Sequence, residues 1–199
     1  MDMIAILGGA FDPVHRGHME MADIVLESGL ADRVLLMPCY SHNFGKDMTP
    51  PKHRLAMCRL CEKDGVVMDP FEVKNQISGG TLSLVTALEL EREGTRPTFI
   101  IGADNAACFR KWHKHEELLI RARFIVVPRE GTEITHEVRK MFGAPHHILD
   151  RGVATISSTQ IRREIVNWWA NRLDGYSMPE NLLPPGVVDY IVKHRLYRS

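Results

Sequence analysis

The chain has 199 residues, 44% of them hydrophobic, with 25 Lys and Arg against 25 Asp and Glu. That content suffices for one packed domain over residues 1–199, and the balanced charge excludes the global basic field expected for binding long nucleic acid. Four cysteines without framework spacing argue against a disulfide-stapled secreted scaffold, and no basic-plus-apolar leader or membrane-length run is present, which predicts a cytoplasmic protein with no membrane contact.

Residues 3–7 form a short continuous apolar run, the pattern of a strand buried on both faces. The run feeds Gly8-Gly9-Ala10-Phe11-Asp12-Pro13-Val14-His15-Arg16-Gly17-His18, and an amphipathic helix is predicted over 18–27. A strand, a glycine turn and a helix N-terminus together present free N–H groups and the positive dipole end to an anion. His15 and His18 lie three apart, so on a helix they share one face and can donate to one set of phosphate oxygens. Gly17 is expected to leave backbone open to a sugar or base. Alternative readings of the histidine pair are a zinc site or a helix cap. Zinc takes three or four protein ligands, and no other His/Cys group has matching spacing. Asp12-Pro13 reads as turn chemistry in preference to a contact with hydrated metal.

Further strands are predicted at 33–37, 66–68, 98–101 and 124–127, with helices at 52–63, 81–92, 115–121, 135–142, 159–169 and 186–194. This alternation predicts an α/β fold: a Rossmann-like open parallel sheet with helices on both faces and a helical portion from about 157 to 199. Ligands in such sheets bind beyond the carboxyl ends of the strands, where Gly8, Pro38 and Gly102 fall. The polar connection 38–51, with Gly45, Pro50 and Pro51, reads as a mobile substrate loop. Cys58 and Cys61 share a helical periodicity and are expected to be buried thiols. Ser157-Ser158-Thr159 before Gln160-Ile161-Arg162-Arg163 marks a second helix opening and a second anion site. Arg162 can fork onto phosphate oxygens, and Arg163 points roughly a quarter-turn away. With the two histidines and Lys46 or Lys52, this basic set suits a triphosphate.

The string around His15 and His18 resembles the His-x-Gly-His signature of the nucleotidyltransferases, specifically the nicotinate or nicotinamide mononucleotide adenylyltransferases. The likeness extends through Ile101-Gly102-Ala103-Asp104, Lys111-Trp112-His113, Ile156-Ser157-Ser158-Thr159-Gln160-Ile161-Arg162-Arg163, and Leu183-Pro184 followed by Val188-Asp189-Tyr190-Ile191. It implies adenylyl transfer from ATP, with Mg2+, to a pyridine mononucleotide, giving a dinucleotide and pyrophosphate. It also implies that His15, His18 and Arg162 stabilise charge. Gly8, Gly9, Ala10, Phe11, Gly17, Gly102, Asp104, Ser157 and Ser158 join them around ATP, with Asp104 on the ribose hydroxyls. Thr81, Trp112 and Lys46 would serve the mononucleotide, Trp112 by stacking on the pyridine. Asp104 can equally be a helix N-cap and Trp112 a packing residue.

Several positions depart from the family pattern. Ala10 stands where a hydroxyl is common, Gly80 and Leu84 flank Thr81 in place of an aromatic and a second Thr, and residues 40–46 lack the usual Pro-Pro-His-Lys. These leave the choice between nicotinate and nicotinamide open. The long segment 167–182, with Trp168 and Trp169, reads as a lid, an interface or core contacts, and a homo-oligomer is compatible with it. The rival enzyme readings are phosphopantetheine adenylyltransferase and cytidylyltransferase; the rival of another class is a non-catalytic nucleotide sensor. Neither Gly-x-Gly-x-x-Gly nor a Walker-type phosphate loop is present.

Overall fold

Successive side chains of β1 (Ile4–Gly9) point to opposite faces, and both faces are dry: Ala5 and Leu7 enter one buried cluster and Ile6 another. The same holds in β2 (Arg33–Pro38), where Val34 and Leu36 part from Leu35 and Met37. This two-sided burial is why the strands read as unbroken apolar runs. With β3 (Val66–Met68), β4 (Thr98–Gly102), β5 (Arg123–Val127) and β6 (His147–Ile148) they form one six-stranded sheet, order β3-β2-β1-β4-β5-β6, each pair parallel. The computed structural model describes residues 3–41, 47–91, 94 and 96–198.

The helices are α1 (Arg16–Glu27), α2 (Pro51–Arg59), α3 (Phe71–Lys74), α4 (Thr81–Glu91), α5 (Ala103–Ala107), α6 (His115–Arg121), α7 (His136–Met141), α8 (Ser158–Asn171) and α9 (Pro185–His194). Met21, Met57, Ile161 and Ile191 bring α1, α2, α8 and α9 onto one face of the sheet. Leu84, Ala106, Leu118 and Val138 bring α4 to α7 onto the other. Each fully buried aliphatic side chain of this kind contributes roughly 1.5–3 kcal/mol, so α8 and α9 are fixed on the same face as α1. Among the described residues no helix is long and apolar enough to cross a membrane.

The expected open parallel sheet is present, with differences at element ends. α1 starts at Arg16, ahead of the expected His18. α2 stops at Arg59, short of the expected 63, because Lys63 and Val66 pair across a turn in which Gly65 takes φ +73°. The short α3, α5 and β6 were not anticipated. Cys58 and Cys61 are buried as expected, and burial pushes the Cys61 thiol up to about 12. Trp168 and Trp169 pack against the core, and Trp169 Nε1 donates to the Leu196 carbonyl at 2.8 Å, so these two residues act as packing and not as a lid. The expected mobile loop lies partly outside the described residues, Lys46 included.

Candidate active site

The strand order reverses at β1, which pairs with β2 on one side and β4 on the other. A crevice opens beyond the carboxyl ends at such a point. Here it is a cavity of about 720 Å³ lined by Gly8, Gly9, Ala10, His18, Thr81 and Trp112, among others. A Cβ at Gly8 would meet nothing within 4 Å, so this glycine keeps backbone open to the crevice. Gly17 does not: its missing Cβ would come within 3.3 Å of the His15 ring and 3.4 Å of Ile156. The expectation of an open face at Gly17 is therefore corrected. The residue is small so that His15 can fold back over α1.

His15 is the N-cap of α1 and is 3% exposed. His18 stacks on it with ring centroids 3.7 Å apart, and the His15 backbone N–H donates to His18 Nδ1 at 3.2 Å. That bond makes Nδ1 the acceptor and leaves Nε2 to carry the proton as a donor. His18 lines the cavity; His15 lies behind it, with Nδ1 buried and unpartnered. Burial, then the Arg129 guanidinium, lowers His15 to about 4. Burial, then His15 and Arg129, holds His18 well below the ordinary imidazole value. Both are therefore neutral donors near pH 7. A polyphosphate beside them would favour their protonation.

Phe11, expected at the ATP, is 1% exposed and belongs to the core, with its ring 4.8 Å from that of His18. Its side chain buttresses His18 and does not line the cavity. Asp12 lies in a turn with Pro13, but its carboxylate reaches across the fold and not back to that turn. It is 4% exposed, and its carboxylate accepts the Thr49 N–H at 3.1 Å and the Tyr197 hydroxyl at 2.7 Å.

The second helix opening docks on this loop. Ser158 Oγ donates to the Pro13 carbonyl at 3.0 Å, and Arg162 donates to the Asp12 carbonyl and, at 3.2 Å, to Thr159 Oγ1. Ser157 is the N-cap of α8, but its side chain makes no capping bond. Arg162 and Arg163 line a neighbouring cavity of about 340 Å³ together with Tyr197. Arg162 and His18 thus meet through the 11–18 loop and line separate cavities, because the Asp12 carbonyl draws the guanidinium to the loop backbone.

Asp104 sits in the first turn of α5, whose N-cap is Gly102, so the N-cap alternative for Asp104 falls. Its half-exposed carboxylate lies 3.3 Å from Arg129 Nε. A Cβ on Gly102 would meet Asp104 Oδ1 and Arg129 Nε, at 2.6 Å for the latter, so a side chain there would push this ion pair aside. Trp112 lines the main cavity and also packs on Phe109, with ring centroids 4.9 Å apart. Sequence reasoning missed Arg129, Glu72 and Arg54. Arg129 lines the main cavity; its place two residues after β5, on the ligand-binding edge, was the available signal. Glu72 also lines that cavity. It accepts the Tyr40 N–H at 3.1 Å, and burial pushes its carboxyl up to about 7. Arg54 is fully buried and ties the Ala10 and Thr49 carbonyls, each at 2.9 Å. It has no sequence signature, because a buried arginine within helical periodicity reads as a solvated one.

A family model described as Cytidylyltransferase-like matches residues 6–164. A protein of Roseiflexus sp. (strain RS-1) named "Probable nicotinate-nucleotide adenylyltransferase" is 35% identical over 202 residues, covering 98% of both chains. The chain belongs to this nucleotidyltransferase family. Another member with the same name, from Symbiobacterium thermophilum, is 32% identical over 208 residues, covering 99% of this chain and 96% of its own. The fold of the family is shared by a solved Plasmodium falciparum nicotinic acid mononucleotide adenylyltransferase complexed with NaAD, at 20% identity and a TM-score of 0.81, covering 99% of this chain and 98% of that one. In this member of the nicotinate-nucleotide adenylyltransferase family Ala10 lies on the cavity wall.

Proposed function

We propose that the chain transfers the adenylyl group of ATP to nicotinate mononucleotide, forming the dinucleotide and releasing pyrophosphate. The observation that carries this reading is the docking of the α8 opening onto Asp12 and Pro13, beside a crevice that His18 lines. An oxygen of the mononucleotide phosphate attacks the ATP α-phosphorus, and the bond to the pyrophosphate oxygen breaks. The nucleophile is already an anion, so no residue has to take a proton. The work is to hold two anions in line, which can supply on the order of 7–11 kcal/mol, and to stabilise departing charge, roughly 3–4 kcal/mol per donor.

In this reading His18 Nε2 donates to the reacting phosphates, with His15 fixing its ring, and Arg162 serves the leaving pyrophosphate. Gly8, Gly9 and Ala10 let the nucleotide approach backbone. Asp104 takes the ribose hydroxyls, with Arg129 as its neighbour, and Trp112 and Thr81 face the pyridine nucleotide. Magnesium arrives with the triphosphate as part of the substrate and neutralises phosphate oxygens. Among the described residues no cluster of three or more His, Cys, Asp or Glu could hold a metal, and Asp12 has both oxygens engaged.

The test is the purified chain with ATP and magnesium, given nicotinate or nicotinamide mononucleotide separately, with pyrophosphate and dinucleotide measured. Dinucleotide from nicotinate mononucleotide is expected. Turnover with neither pyridine substrate overturns the assignment.

A further inference from the structure

The segment that follows α9 has no part in the chemistry above, yet it returns to the motif loop. Arg195 and Tyr197 both take left-handed backbone conformations, with φ 52° and 56°. Between them the Leu196 carbonyl is held by Trp169 Nε1 on α8. The Tyr197 ring is thereby turned inward, and its hydroxyl donates to Asp12 Oδ1 at 2.7 Å. Asp12 follows Phe11, itself left-handed at φ 49°. A non-glycine residue rarely adopts that conformation, and it persists only where its surroundings hold it.

Asp12 is the node of this arrangement. Its side chain takes the Thr49 N–H and the Tyr197 hydroxyl, and its backbone carbonyl takes Arg162. A carboxylate almost sealed from water depends on each donor, because a lost partner leaves a buried acceptor unsatisfied. Burial, then the Asp12 charge, raises the phenol well above its ordinary range, so it remains a donor across physiological pH. Tyr197 and Arg162 also wall the same cavity of about 340 Å³.

We propose that Tyr197 is a positioning residue for adenylyl transfer: through Asp12 its hydroxyl sets the loop that presents His18 and the carbonyl on which Arg162 rests. This rests on the function proposed above. It adds a dependence on a residue 185 positions away in sequence that makes no contact with the reacting atoms.

Tyr197→Phe removes the hydroxyl and keeps the ring. With full-length protein, at a temperature where every variant is folded, kcat is expected to fall about tenfold, the scale of one hydrogen bond to a charged group, with both KM values within about twofold. In an Arg162→Ala background the same change should cost less than in the wild type, since part of its effect runs through the Asp12 carbonyl that seats Arg162. Asp12→Asn, which keeps the size but weakens the acceptor, should reproduce the kcat loss and serves if Tyr197→Phe does not fold. Unchanged kcat in the folded variants, or losses that multiply fully in the double variant, overturns the proposal. An inactive wild type would instead defeat the function reading, so the two failures are distinguishable.

Discussion

α1 and α8 open onto one loop, yet they hold their polar groups in different ways. At α1 the groups are placed by packing: His15 is sealed over Gly17, His18 is stacked on it, and Phe11 closes the edge. At α8 they are placed by polar bonds to carbonyls of the loop, Ser158 to Pro13 and Arg162 to Asp12. The first opening offers neutral donors in fixed positions. The second offers a full charge whose place depends on loop backbone. Catalysis by positioning needs the former to be rigid, while the latter can follow a polyphosphate.

The sharpest way to break this contrast is His18→Ala. It removes the donor that faces the crevice while His15 and Phe11 keep the loop packed, so turnover should fall about a hundredfold or more with the fold intact. Steady-state kcat and a thermal melt check both halves, and unchanged turnover removes His18 from the mechanism. Arg162→Ala should act differently. We expect kcat/KM for ATP to drop about tenfold, with the mononucleotide KM moved less, because in the proposed reaction the guanidinium serves the triphosphate side. Equal effects on both substrates would contradict that placement.

These residues differ in how far the sequence could reveal them. The strands were legible because a strand covered on both faces must be apolar at every position, and Gly8 and Gly102 at the strand ends mark the crevice. The four-residue α3 and two-residue β6 are too short to carry a period. Gly17 was misread because its role depends on where the His15 ring turns, a tertiary fact. Arg129 and Tyr197 lie 108 and 185 residues from the side chains they contact at Met21 and Asp12, and nothing local signals either meeting. Arg162 was identified as a cation at a helix opening, but its hold on the Asp12 carbonyl could come only from the fold.

The smallest expected effect probes the packed opening alone. His15 titrates at about 4 in the folded chain against an ordinary 6.5, so between those values the unfolded chain binds the extra proton. Stability is therefore full above about pH 6.5 and is lost as the pH falls toward 4. From pH 6.5 to 5.5 this one group should cost about 1 kcal/mol, read as a lower denaturation midpoint. His146, lowered to about 4 by burial and then by Arg96, adds a loss of the same sign from the opposite face of the sheet, where it packs on Phe124 and Phe142. Saturating magnesium and ATP separate the two. Phosphate beside the stacked rings stabilises their charged forms and should flatten the acid loss from His15 and His18, whereas the His146 share remains. An acid profile that ATP leaves unchanged in shape would mean that the α1 opening does not face the phosphates.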